Sequence, residues 1–258
     1  MKVLLFLSLV TFASAEWKEL LVPESPMQSG TEQMQLRLSA AETPPPYSVK
    51  NESFDLLVPA TYDKTKPHGL FIWITAGEKH GIPQAWENVL AEHKLITVAA
   101  RNSGNKRNIF DRMRMAIDAN DHLRKIYNID GRRVYIAGFS GGARVASNLS
   151  VAFSEMFSGA ICFMGCNFYL PVKADDGKTY GESYLPADEL LDIAKAACRY
   201  VLMTGEKDFN RANIRAVFDG MEKENFRSVE IFDIPQQGHS LPGVEWLGRA
   251  IAFLDEGK

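Results

Sequence analysis

Three cysteines in 258 residues are too few for a disulfide scaffold, and the odd count leaves at least one thiol free. No Cys-x-x-Cys and no histidine pair at zinc-ligand spacing occurs, so no structural or catalytic metal site is expected. There is no phosphate loop, no dinucleotide fingerprint, no internal repeat and no low-complexity tract, and no cofactor is expected. Net charge is −3 without a basic cluster, which removes the electrostatic case for nucleic acid or an anionic membrane as partner. Beyond the first fifteen residues no apolar run approaches the roughly 20 residues that a membrane span requires.

What is present begins with a targeting signal. Lys2, the apolar run Val3 to Phe12 and the small residues Ala13-Ser14-Ala15 form a signal peptide over 1–15 with cleavage before Glu16. The expected location is therefore secreted or periplasmic. The remainder, 46 % hydrophobic and 24 % charged over the whole chain, suits one large globular domain.

Residues 16–46 read as an N-terminal extended segment closing in Pro44-Pro45-Pro46, with Gln33 to Leu38 as an edge strand because Met34, Leu36 and Leu38 alternate. From Tyr47 the pattern becomes regular, and 47–258 reads as a single domain. Strands are predicted over Phe54–Pro59, Leu70–Thr75, Leu95–Ala100, Val134–Phe139, Gly159–Met164, Tyr200–Thr204 and Val229–Ile234. Helices are predicted over Pro83–His93, Asn108–Tyr127, Gly141–Phe153, Ala187–Ala197 and Asn210–Glu224, with a closing helix marked by Val244, Leu247, Ile251 and Leu254. Apolar strands alternating with helices give an α/β fold, a mainly parallel central sheet of about eight strands with helices on both faces. In such a sheet ligands bind beyond the carboxyl ends of the strands, so chemistry is sought just after each strand.

Gly138-Phe139-Ser140-Gly141-Gly142 sits between a predicted strand and a predicted helix. That is the context of a nucleophile elbow, in which the residues two before and two after the serine must be small. A serine hydroxyl needs a base. Among five histidines, His93 and His122 fall on predicted helices at solvent-facing positions, His68 lies in a polar turn, and His80 follows an early strand. His239, after the last strand and downstream of Ser140, fits the base. Asp208, three residues beyond Gly205, fits the carboxylate that orients it, with Glu206 as competitor. The second oxyanion donor besides the N–H of Gly141 is expected in Thr75 to Gly81, at Glu78 or alternatively Gly77. Arg101 to Asn105 would also face the site, as substrate contact or simple turn. Cys162 and Cys166 read as one strand and too far apart to bridge, while a Cys162–Cys198 bridge is geometrically open. Asn51-Glu52-Ser53 and Asn148-Leu149-Ser150 match the glycosylation acceptor pattern by accident of composition.

With those residues in place, the chain from Tyr47 to Leu254 resembles α/β-hydrolase esterases, in particular secreted feruloyl and acetylxylan esterases and polyhydroxyalkanoate depolymerase-like proteins. The likeness is carried by Gly138 to Gly142, by Leu202-Met203-Thr204-Gly205-Glu206-Lys207-Asp208 and by Gly238-His239-Ser240. It implies hydrolysis of a small-molecule or polymer-borne carboxylic ester. A serine peptidase on the same fold and a non-catalytic binding module are the alternatives. The excursion Asn167 to Pro186 is short for a lid, which implies an open site for short acyl groups. Its Tyr169, Tyr180 and Tyr184 could stack on a substrate ring or simply pack.

Overall fold

The computed structural model describes residues 16–181 and 184–258; the expected signal segment 1–15 lies outside the described residues. Eight strands form one sheet: β1 (Trp17–Leu20), β2 (Phe54–Leu57), β3 (His68–Ile74), β4 (Leu95–Ala100), β5 (Ile129–Phe139), β6 (Gly159–Phe163), β7 (Arg199–Gly205) and β8 (Val229–Ile234). Their order in space is β1-β2-β4-β3-β5-β6-β7-β8. β2 runs antiparallel to both β1 and β4, and every other pairing is parallel. Crossovers are made by α2 (Gln84–Glu92), α3 (Ile109–Ile126), α4 (Gly141–Ala152), α5 (Asp188–Ala197) and α6 (Arg211–Lys223), and α7 (Val244–Asp255) closes the chain.

The central strands are apolar throughout because both faces are covered. In β3 every residue is buried: Leu70, Ile72 and Ile74 enter the core under α3 and α4, while Phe71 and Trp73 enter the core under α2 and α7. No helix among the described residues is long and apolar enough to cross a membrane.

The N-terminal region departs from expectation. Gln33 to Leu38 is not a strand but lies in helix α1 (Thr31–Arg37) and its cap. Met34 and Leu38, four apart, are fully buried, whereas Leu36 is 65 % exposed. Apolar residues at 34, 36 and 38 satisfy a period of two, yet the core selects only the pair that shares a helix face. The edge strand is instead Trp17–Leu20, paired with β2, with the Trp17 indole N–H donating to Glu87 Oε1 at 2.8 Å.

The charges of α3 are also not all outward. Arg112, Arg114, Asp118 and Asn120 are buried. Arg114 donates to Ser29 O (2.9 Å), Pro45 O (2.6 Å) and Thr31 Oγ1 (3.0 Å), and Asp118 accepts from Ser25 Oγ (3.0 Å), Tyr47 OH (2.7 Å) and Ser29 Oγ. Two buried residues of one helix thus pin residues 25–47 to the domain.

Burial pushes the Asp118 carboxyl up to about 6, against the opposing pull of its hydroxyl donors and Arg114. Its proton is therefore held in the folded chain at pH values where the unfolded chain has released it. This group's contribution to stability falls as pH rises from about 4 through 6. Asp118→Asn is expected to shift relative to the parent, in its own favour, by up to about 3 kcal/mol between pH 4 and pH 7. Urea unfolding of both proteins at the two pH values measures it, and a difference independent of pH contradicts it.

Candidate active site

Ser140 stands between β5 and α4 with φ 54° and ψ −116°. A non-glycine residue at such a φ costs about 1–3 kcal/mol and persists only where its surroundings over-determine it. Here the Ser140 N–H donates to Phe163 O at 2.8 Å and its carbonyl accepts from the Arg144 N–H at 3.1 Å. The flanking glycines are required by close approach. A Cβ at Gly138 would lie 2.5 Å from Gly142 C, and one at Gly142 would lie 2.0 Å from Ile74 O. The turn is consequently tight enough to lift the serine above the sheet, and α4 begins directly behind it. Gly141 N–H, in the first turn of α4, has no intrahelical acceptor to take it.

Two later loops deliver the partners. His239 Nε2 lies 2.9 Å from Ser140 Oγ, and His239 Nδ1 lies 2.8 Å from Asp208 Oδ1. A carboxylate only accepts, so Nδ1 carries the hydrogen and Nε2 is left to accept from the serine hydroxyl. The Asp208 carboxylate is fully buried. It also accepts from the Asn210 N–H (3.1 Å) and from Thr204 Oγ1 (3.2 Å). The loops after β7 and β8 are stitched together by Glu206 N–H to Ile234 O (3.0 Å) and Lys207 N–H to Gln237 O (2.9 Å). Glu206, the competitor carboxylate, is exposed and occupied by Gln236, whose N–H and Nε2 donate to Oε2 at 2.9 and 2.8 Å. It forms no hydrogen bond with His239.

A cleft of about 430 Å³ is lined by Ala76, Gly77, Glu78, Asn102 and residues 104–107. Asn105 sits directly over Gly141, since a Cβ there would be 2.0 Å from its Oδ1. The Gly77 N–H is consumed by Thr75 Oγ1 at 3.0 Å. Glu78 O accepts from the Asn102 N–H at 2.9 Å, and among the described residues no acceptor takes the Glu78 N–H. Arg101, by contrast, turns away to Asp55 (2.7 Å) and Glu19 (2.6 Å).

Several residues of the site escaped the sequence reading. Buried Arg112 donates to Ser103 O (2.6 Å) and Thr75 O (2.9 Å), bracing both cleft loops from α3, and burial pushes its guanidinium down to about 10. Arg144 reaches Cys166 O (3.0 Å), Asn167 Oδ1 (2.9 Å) and Asn210 Oδ1 (3.2 Å), which ties α4 to the loops after β6 and β7. The exposed ring of Phe209 lies over His239, 4.0 Å between centroids. Only the adjacency of Phe209 and Asn210 to Asp208 could have signalled them; nothing local marks Arg112.

The remaining expectations resolve as packing. His68 is buried at the start of β3, His80 stacks on Trp17 at 4.3 Å, and His122 is half-buried on α3. His93 is half-buried rather than outward, 3.7 Å from Asp255, which joins it to α7. Tyr169 is buried and donates to Glu224 (3.1 Å), while Tyr180 donates to Asp176 (3.3 Å) and Tyr184 to Glu42 (2.7 Å). All three cysteines are free and buried. Cys162 and Cys166 do not share a strand: β6 ends at Phe163 and Met164 takes φ 54°, and the neighbouring Cys166 together with burial pushes the Cys162 thiol up. Asn148 is buried in α4, which removes that acceptor sequence from the surface. Among the described residues no group of three or more His, Cys, Asp or Glu could hold a metal ion.

No protein-family model and no curated protein matches this sequence. Solved structures do match its shape. FphF, the fluorophosphonate-binding serine hydrolase F of Staphylococcus aureus, superimposes with a TM-score of 0.60 at 14 % identity over 94 % of this chain and 99 % of that one. The fold is that of the α/β hydrolases. S-formylglutathione hydrolase (FrmB) from Staphylococcus aureus matches with a TM-score of 0.56 at 16 % identity, covering 79 % of this chain and 90 % of its own. Esterase 2 of Thermogutta terrifontis, in a form phosphonylated by sarin, matches with a TM-score of 0.56 at 14 % identity, covering 80 % and 88 %. Within this fold the carboxyl edge of the sheet carries Ser140, Asp208 and His239 in that chain order.

Proposed function

We propose that the protein is a serine carboxylic-ester hydrolase working through an acyl-enzyme. The observation that carries this reading is the unbroken relay from buried Asp208 through His239 to Ser140, with hydrogen-bond distances of 2.8 and 2.9 Å. Ser140 Oγ attacks the ester carbonyl as Nε2 of His239 takes its proton, and Asp208 holds the tautomer and stabilises the imidazolium. The N–H groups of Gly141 and Glu78 receive the developing oxyanion. The proton passes to the departing alcohol, and water, activated by the same imidazole, releases the acid.

Glu78 is favoured over Gly77 because its peptide is held by Asn102, and the neighbouring Gly77 N–H is already bonded. The substrate class follows from the rim. Within the excursion, Val172–Lys173 and Thr179–Tyr180 pair as a small antiparallel hairpin, and none of residues 167–181 lines the cleft. That arrangement favours short acyl groups or esters borne on a polysaccharide or polymer, in keeping with the resemblance to feruloyl and acetylxylan esterases and depolymerase-like proteins. The reading includes export, through cleavage of residues 1–15.

The test is fluorophosphonate labelling joined to a substrate screen. The panel is p-nitrophenyl esters of graded length, methyl ferulate, acetylated xylan and a peptide p-nitroanilide. Labelling with turnover of short or polymer-borne esters is expected. Turnover confined to long acyl chains overturns the open site, preference for the anilide favours a peptidase, and an unlabelled protein is left as a binding module.

A further inference from the structure

Phe209 is the only exposed aromatic side chain among the described residues, 75 % accessible. Single exposed apolar residues are ordinary on protein surfaces. This one is set apart by its place, with 30° between its ring plane and that of the imidazole 4.0 Å away. Its backbone is anchored on both sides. Asp208 before it is buried against His239, and Asn210 after it donates its own N–H to Asp208 and its Nδ2 to Met164 O at 2.8 Å. The ring is thereby held out over the reacting centre, although no packing partner in the core requires it there.

The chemistry of acylation decides which part of a substrate meets it. The Oγ–H proton of Ser140 moves to Nε2, the Oγ–acyl bond forms, the bond between acyl carbon and alcohol oxygen breaks, and the same proton leaves on that oxygen. The alcohol oxygen must therefore come within hydrogen-bond reach of Nε2, on the His239 side of Ser140. The 430 Å³ cleft is lined by other residues, 76–78 with 102 and 104–107, of which Asn105 sits over Gly141, and neither Phe209 nor His239 lines it.

We infer that Phe209 is the leaving-group platform of this site, selecting esters whose alcohol presents a flat ring face, aromatic or pyranose, to stack on the phenyl ring. The inference rests on the hydrolase reading above and assigns its alcohol side. The cleft at 102–107 then takes the acid side. Stacking of this kind is worth enough to change acylation by about fivefold to tenfold.

The test compares the parent with Phe209→Ala and Phe209→Leu on acetates that all yield one acetyl-enzyme: phenyl acetate, an acetylated methyl xylopyranoside and ethyl acetate. Deacylation is common to the three, so kcat/KM isolates the leaving-group step. Phe209→Ala should lower kcat/KM about fivefold to tenfold on phenyl acetate or the xyloside and by no more than about twofold on ethyl acetate, with Phe209→Leu between. The ring ester that falls further identifies the alcohol class. Equal falls on all three esters overturn the inference, because Phe209 would then act only through His239, and so does the absence of any fall. A parent protein that neither labels with fluorophosphonate nor cleaves any ester overturns the hydrolase reading itself, a result distinct from both.

Discussion

Ser140→Ala is expected to lower kcat for the best ester substrate by about 10⁴- to 10⁶-fold and to abolish fluorophosphonate labelling while leaving the fold intact. The loss is large because no other group can form the acyl-enzyme, so the base and carboxylate left behind have nothing to activate. What turnover remains comes from the oxyanion donors and substrate binding. The fold survives because the elbow is held by backbone contacts, Ser140 N–H to Phe163 O and Arg144 N–H to Ser140 O, which alanine keeps. Stopped-time assays with circular dichroism on the same preparation separate the two effects. A variant that folds and retains more than about a hundredth of parental turnover contradicts Ser140 as nucleophile.

Asp208→Asn carries the second-largest expected effect, a fall in kcat of about 10⁴-fold. The physical reason lies in the donors that surround the carboxylate. Oδ1 receives His239 Nδ1–H and the Asn210 N–H, and Oδ2 receives the Thr204 hydroxyl. An amide offers one acceptor and one donor group. If its NH₂ faces His239, Nδ1 must become the acceptor, Nε2 then carries the hydrogen, and the serine proton has nowhere to go. If its oxygen faces His239, the buried NH₂ confronts the Thr204 side, and the imidazolium loses its compensating charge in either case. Glu206→Gln is the matched control. Its carboxylate serves only Gln236 at the surface, so its turnover should stay within about threefold of the parent. A comparable collapse in Glu206→Gln would reassign the acid.

The elbow was legible because its requirement is local: a tight strand-to-helix turn needs small residues at 138 and 142, and that need is written in five consecutive positions. His239 was legible through chain order and position at the sheet's carboxyl edge. Asp208 and Glu206 were harder to separate, since both lie within four residues of β7 and only the crossing loop from β8 decides which of them meets an imidazole. The fold class was readable for a similar local reason. Strands covered on both faces are apolar throughout, and helices with one face on the sheet repeat at 3.6 residues, whatever lies far away in the chain.

Other features depend on partners distant in sequence, and there local pattern misleads. Met34, Leu36 and Leu38 carry strand alternation, yet the core buries only the two that share a helix face. Asp118 and Arg114 look like the polar side of an amphipathic helix, but residues 25–47, from 69 to 93 positions away, cover them. Cys162 and Cys166 leave a common strand because β6 ends at Phe163 and Met164 is left-handed. By itself the sequence determined the alternation of strands and helices and the placing of Ser140, His239 and two candidate carboxylates, Asp208 and Glu206, just after strands at one edge of the sheet. Only the tertiary structure decided which carboxylate reaches the imidazole, what braces the loops and which ring overlies the base, because each is a contact between segments whose separation no local period encodes.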